Sequence, residues 1–211
     1  GSYREYLIGG VLVQSLAFGI MGPATAIATD LTEGVVDRFR TLPMSRSAYL
    51  TGHVIAEVGA IAIAITVLSL SGLIVGWRIH TDLPHALAGY GLVLLFAFSM
   101  VWLGTWLGLV VRSPDAAQGV VFMVVFPMTF LASTFVPIGG LSPVLATLAS
   151  WNPVSAITAA VRGLFGNPTG MPADPAWPLR HPIAAALLWC GVILAVSVPL
   201  ALRRFRIRTT G

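Results

Sequence analysis

Residues 116–161 read AAQGVVFMVVFPMTFLASTFVPIGGLSPVLATLASWNPVSAITAAV, 46 residues without an Asp, Glu, Arg or Lys. A bilayer core is crossed by about 20 apolar helical residues, so a run of this length holds either one crossing or two. Pro137, Gly139, Gly140 and Pro143 divide it, and Trp151-Asn152-Pro153 divide its second part again. Proline stops helices and glycine weakens them, which leaves each piece after Gly140 too short to cross. The stretch therefore predicts one span over about 116–136, followed by a re-entrant region over 141–165. In that region Ser142 to Ser150 and Val154 to Phe165 are half-helices that dip into the membrane and return. Non-helical backbone at that depth has to be buried in protein or line a watery cavity.

Four other stretches lack charge: Leu7 to Thr29, Val58 to Trp77, Ala86 to Val111 and Ile183 to Leu202. Each reads as one span. Composition agrees, since 56% of the 211 residues are hydrophobic and 9% charged, against roughly a quarter charged in a soluble domain. A water-soluble globule is excluded. The predicted fold class is all-α: a polytopic membrane helical bundle forming one transmembrane domain over 1–211, with spans at about 7–29, 54–77, 86–111, 116–136 and 183–202.

Arginine placement tests that reading, because loops on the cytosolic side carry the excess of positive charge. All 12 basic residues are Arg, against 8 acidic ones, for a net charge of +4. Five spans with the amino terminus outside put Arg38, Arg40, Arg46, Arg112, Arg203, Arg204, Arg206 and Arg208 inside, and Arg4, Arg78, Arg162 and Arg180 outside. A sixth crossing over 141–161 would even the two sides. The chain opens on Gly1-Ser2 rather than Met, and an external amino terminus predicts a further span upstream, six in all with both ends inside. The carboxyl terminus is then cytosolic.

Between the first two spans lies the longest polar interruption, Asp30-Leu31-Thr32-Glu33-Gly34-Val35-Val36-Asp37-Arg38-Phe39-Arg40-Thr41-Leu42-Pro43-Met44-Ser45-Arg46. Leu31, Val35, Phe39 and Leu42 recur at helical spacing and predict an amphipathic helix over 31–42, stopped by Pro43. Such a helix either lies in the headgroup layer or docks on a cytosolic partner. A membrane-surface helix favours Lys and Arg over acids, and this one carries Asp30, Glu33 and Asp37, which favours docking. Without Lys the chain has no Walker A phosphate site of its own. Cys190 stands alone, so no internal disulfide is possible, and the histidines lack metal-ligand spacing.

Two blocks carry a family resemblance. Glu33-Gly34, Arg38 and Thr41-Leu42-Pro43-Met44-Ser45-Arg46 resemble the cytosolic segment of ABC type-2 permeases, particularly the daunorubicin-resistance-type exporters. Ser133-Thr134-Phe135-Val136-Pro137, Leu148, Trp151-Asn152-Pro153-Val154-Ser155 and Arg162-Gly163 are similar to that family's outer re-entrant region. The resemblance covers essentially the whole chain, apart from the family's first span. It implies a non-enzymatic translocation subunit, paired with a second permease copy (identical or a paralogue) and driven by a separate cytosolic ATPase that holds the ATP and Mg. By the same resemblance Glu33, Asp37, Arg38, Arg40 and Arg46 contact the ATPase, while Pro43 and Met44 shape the connection to the second span. The turn holding Arg112 and Asp115 is either a secondary contact or an ordinary helix turn capped by Ser113 or Asp115. Asn152, Pro153 and Arg162 belong to the re-entrant region.

The remaining polar and small residues have plainer readings. His53 and Glu57 share a helical face near the inner interface and read as a structural pair. Arg162 either ties the half-helices together or meets a lipid headgroup, the first being adopted. Gly72/Gly76 and Gly104/Gly108 are small-residue pairs that let helices approach. Trp102 and Trp106 line an apolar path or anchor the inner interface. Pro127 is a kink site in the fourth span. The implied function is export of a hydrophobic or amphiphilic compound (a drug, antibiotic or lipid-like molecule) from a bacterial cell across its plasma membrane. An ion-coupled carrier is the alternative, weakened because such carriers place carboxylates at mid-membrane. An intramembrane protease and nucleic-acid binding are disfavoured; the arginines after Leu202 suit anionic lipids instead.

Overall fold

Proline sets where most of these helices begin and glycine sets where two of them stop. A computed structural model describes residues 3–35, 46–132, 134, 138, 142–172 and 174–210. Among the described residues the chain forms helices α1 Tyr3–Phe18, α2 Met21–Thr32, α3 Arg46–Val75, α4 Leu83–Val110, α5 Pro114–Leu131, α6 Pro143–Trp151, α7 Pro153–Leu164, α8 Trp177–Arg180 and α9 Pro182–Thr210. Helices α4 through α8 each carry Pro at the first or second position, where its missing N–H costs nothing and its fixed φ already suits a helix. Gly76 ends α3 at φ +99° and Gly166 ends α7 at φ +69°. In both cases the next residue's N–H reaches back five residues, Trp77 to Gly72 O at 2.9 Å and Asn167 to Arg162 O at 2.8 Å. That is the Schellman stop, which needs a left-handed residue and so favours glycine.

Five helical stretches are long and apolar enough to cross a membrane: Tyr3–Thr32, Tyr49–Val75, Leu83–Val110, Pro114–Leu131 and Pro182–Ile207. The first is α1 and α2 together, broken at Gly19 and Ile20, where the sequence predicts one uninterrupted helix over 7–29. Helix α4 is the central post. It packs most extensively against α9 and α2, the latter over its second half at Gly104 and Gly108, and also against α3 and α7. Helix α3 is peripheral, with Ile55, Ile63 and Ile74 facing outward as lipid-facing residues do.

Helices α6 and α7 meet at a 69° bend. A bend of that size belongs to a broken span or to a re-entrant loop. The start of α7 is tied to the last turn of α5 at Met128, and its end is tied to the α3–α4 loop at Arg78 and Thr81. Helix α9 continues through Thr210, past the predicted span end at Leu202. The reason is that Phe205 is buried against Leu50 and Tyr49, so the helix keeps an apolar face while Arg203, Arg204 and Arg206 stay exposed. The ends of α2, α4 and α9 and the start of α3 gather around Ile27, Leu50, Leu109 and Phe205. Arg112, Arg203, Arg204 and Arg206 are at that end and Arg4, Arg78 and Arg180 at the other, the division expected for the inner and outer sides.

Candidate functional site: an inner docking end and an outer re-entrant hub

Of the seven residues predicted to meet an ATPase, Asp37, Arg38, Arg40, Pro43 and Met44 lie outside the described residues. Arg46 opens α3, and its side chain is likewise outside them. Glu33 is exposed and caps α2, its N–H donating to Thr29 O at 2.9 Å, and Gly34 then turns the chain at φ +70°. Leu31 and Thr32 consequently belong to α2 rather than to a separate helix over 31–42. Leu31 is drawn into the apolar cluster of Ile27, Leu50 and Leu109, and burying that face continues the span.

Asp30 is turned inward. Its carboxylate accepts a hydrogen bond from Tyr49 Oη at 2.5 Å, and the Tyr49 ring stacks on Phe205 at 5.7 Å and on His53 at 6.5 Å. The two ends of the predicted docking segment are thus clamped to each other and to α9. Tyr49 carries no motif, and its role appears only when α2 and α3 are seen side by side. Tyr49→Phe keeps the ring contacts and removes one charge-assisted hydrogen bond, worth roughly 1.5–3 kcal/mol. The expected result is a protein that reaches the membrane in normal amount but transports more slowly, read as dye efflux per unit of purified permease.

Arg112 and Asp115 are both exposed at the turn between α4 and α5. Ser113 supplies the cap, its Oγ accepting from Ala116 N at 3.2 Å, which leaves the two charges free of a capping duty. His53 lies on Tyr49, and the Glu57 carboxylate rests over Gly22 of α2, where a Cβ would stand 3.3 Å from Oε2. Trp102 and Trp106 pack, half-buried, against the Ile27 and Phe205 cluster.

At the predicted outer end Asn152 caps two helices at once. Its Oδ1 accepts from Val154 N at 2.9 Å, starting α7, and its Nδ2 donates to Met128 O at 2.6 Å, a carbonyl in the last turn of α5. Pro153 follows as the first residue of α7. Asn152→Ala is expected to lower stability by roughly 2–3 kcal/mol, a lost cap plus a lost hydrogen bond. Asn152→Ser restores the cap alone and should recover about half, measured by thermal unfolding in detergent.

Ten residues later Arg162 is fully buried. Its Nε donates to Tyr6 O at 3.0 Å, its Nη2 donates to Thr134 O at 2.9 Å, and its guanidinium lies 3.6 Å from the centre of the Tyr6 ring. The structural reading of Arg162 thus holds, with different partners: it joins α7 to α1 and to the segment after α5. Gly9 and Gly10 of α1 make the room, since a Cβ at either would stand 3.0 Å from Arg162 Cγ or 2.7 Å from Nη2. Beyond it Trp77 Nε1 donates to Asn167 Oδ1 at 2.7 Å, Asn167 Nδ2 donates to Arg78 O at 2.9 Å, and Trp77 meets Phe165 edge-on at 5.5 Å. His80 is exposed and pairs with Glu5 of α1 at 2.7 Å. Helix α7 is therefore a buried keystone that packs against α1, α4 and α9 and is tied at its start to the end of α5 and at its end to the α3–α4 loop.

Residues 2–165 match the family model of the ABC-2 type transporter. The chain belongs to the ABC-2 type transporter family. It is 27% identical over 204 residues to the "Daunorubicin resistance ABC transporter permease protein DrrB1" of Streptomyces coeruleorubidus, an alignment spanning 97% of this chain and 69% of that protein. It is 25% identical over 200 residues to the "Doxorubicin resistance ABC transporter permease protein DrrB" of Mycobacterium tuberculosis, strain CDC 1551 / Oshkosh, spanning 95% of this chain and 69% of that protein. The ABC-2 family match ends at residue 165, so it includes the docking segment, Asn152 and Arg162. As an ABC-2 permease the chain is a multi-pass membrane protein, and its all-α bundle, with five helical stretches long and apolar enough to span, agrees with that membership.

Proposed function

We propose that this permease is the translocating half of an ATP-driven exporter in a bacterial plasma membrane, moving a hydrophobic or amphiphilic compound outward. A separate ABC ATPase, carrying ATP and Mg, docks on the end bearing Glu33, Asp37, Arg38, Arg40, Arg46, Arg112 and Asp115, with the carboxyl terminus on the same cytosolic side. A second permease copy completes the path. The observation that carries this reading is the similarity, along 97% of the chain, to a permease named for daunorubicin resistance. It is supported by the absence of Lys from the sequence, which leaves no Walker A phosphate contact here.

The mechanism follows from how the two ends are built. The docking segment is continuous with α2 and α3, and α2 lies along α4. A push on that segment is therefore delivered to α2 and α3 as rigid rods, and Asp30 with Tyr49 makes them move together. At the other end α7 packs against α1, α4 and α9 and is bonded to the loop after α3, so displacement of α1 and α3 has to be accommodated there. In alternating access the inner end closes while the outer hub loosens, and cargo leaves outward. The permease co-expressed with its genomically adjacent ATPase should lower cellular accumulation of an amphiphilic fluorescent cation. Efflux should survive a protonophore and stop when the ATPase is catalytically dead. Efflux that stops with the protonophore while the dead ATPase has no effect would overturn the proposal in favour of ion coupling.

A further inference from the structure

Between α1 and α3, near the predicted outer end, lies an open groove of about 200 Å³. Ile8 and Val11 of α1 form one wall and Leu68, Ser71 and Val75 of α3 the other, with Leu12 and Gly72 as its floor. Its walls are apolar throughout, because Ser71 Oγ is turned back to donate to Val67 O at 2.8 Å. The groove opens outward through exposed Val11 and Val75, so acyl chains rather than water meet it.

The groove has a charged head. Arg4 is exposed and lies one turn before Ile8 on the same stripe of α1. Arg78 is exposed just past the end of α3, and its Nη1 donates to Leu73 O at 2.7 Å and to Trp77 O at 2.8 Å. Those bonds hold the guanidinium over the last turn of α3, at the same end as Arg4. The neighbouring acid, Glu5, is engaged with His80. Two guanidinium groups above a narrow apolar slot complement a phosphate with a hydrocarbon chain below it, and Arg grips phosphate better than any other side chain.

We infer that this groove is a binding site for one anionic phospholipid, its phosphate held between Arg4 and Arg78 and one acyl chain laid between α1 and α3. The lipid lies on the outer face of the hub that Arg162 and Trp77 build, so its binding stiffens the α1–α3 contact. The inference is independent of the cargo and of the direction of transport.

The test is native mass spectrometry of the permease at its natural length, purified in detergent with equal amounts of phosphatidylglycerol and phosphatidylcholine. Wild type should retain about one phosphatidylglycerol per chain, in preference to phosphatidylcholine. Loss of one basic contact near a membrane surface weakens anionic-lipid binding about fivefold, so R4Q and R78Q should each lower retention by that factor and R78K should retain more than R78Q. S71W fills the slot and should lower retention of both lipids. R180Q is the control, because Arg180 is already taken by Asp174 and Pro175 O. R4Q lies on an exposed stretch of α1 and keeps the test decisive if R78Q is unstable. Equal retention of the two lipids by wild type, unchanged retention in R4Q, or an equal loss in R180Q would overturn the site, as would a dimer that closes the groove without lipid.

Discussion

Arg162→Met is expected to abolish export and to lower the permease's stability by on the order of 2–4 kcal/mol. The substitution keeps most of the side-chain volume and removes both N–H donors, so the Thr134 carbonyl loses this partner inside the bundle and the Tyr6 carbonyl keeps only its bond within α1. A buried carbonyl left unpaired costs roughly 1–3 kcal/mol, the second lost bond adds about 1 kcal/mol, and relief from burying a guanidinium offsets part of the total. Arg162→Lys should recover less than half. An ammonium is a point donor, and the fork that reaches two carbonyls while lying on the Tyr6 ring belongs to Arg. Gly10→Ala should reproduce the defect from the opposite side, because its Cβ would stand 2.5 Å from Thr134 O and 2.7 Å from Arg162 Nη2. Thermal unfolding in detergent and dye efflux measure the two effects. If Arg162→Met unfolds at the wild-type temperature and exports normally, α7 is not the keystone described above.

That arginine also shows how far the sequence could be read. Its place in a second short helix was legible, since Pro and Gly punctuate the stretch. Its partners were not, because Tyr6 and Thr134 are distant in sequence and offer only backbone oxygens, which leave no mark in residue type. Trp77 with Asn167 was hidden by sequence distance alone, since the bond joins two side chains 90 residues apart, although each follows a glycine that stops a helix. The Asn152-Pro153 pair was legible as a helix start, whereas the second bond from Asn152, back to Met128, depends on the bend between α6 and α7. At the other end Asp30 reads as one acid among three in a polar segment. Only the packing of α2 on α3 turns it toward Tyr49. The break at Gly19 and Ile20 lies inside an unbroken apolar run, where hydropathy has no contrast to offer. Gly72 and Gly76 look like a packing pair, yet Gly76 is a helix stop, while Gly104 and Gly108 are the pair at a helix contact.

Gly104→Ala should be among the most damaging single-methyl changes in this chain. A Cβ there would stand 2.5 Å from Ile20 O and 2.8 Å from Pro23 Cγ, and neither backbone nor proline ring can swing away as a flexible side chain would. The carbonyl belongs to the break between α1 and α2, so the glycine is what lets that break sit against α4. Overpacking of this kind costs about 1–3 kcal/mol. Gly108→Ala meets Ala24 O at 2.6 Å and Ile27 Cβ at 2.9 Å on the same face, one turn nearer the predicted inner end. Either change forces α2 off α4, so the double variant should cost less than the sum of the two, because the second methyl enters a gap the first has opened. Gly91→Ala is the control on the same helix: nothing lies within 4 Å of its Cβ, and the gain in helix propensity should leave stability equal or slightly raised. Because α2 leads directly into the docking segment, the displaced variants should also lose ATP-driven efflux in proportion to their loss of stability. Normal unfolding temperature and efflux in Gly104→Ala would mean that α2 does not lie on α4 in the membrane, and the route from docking segment to bundle would have to run through α3 alone.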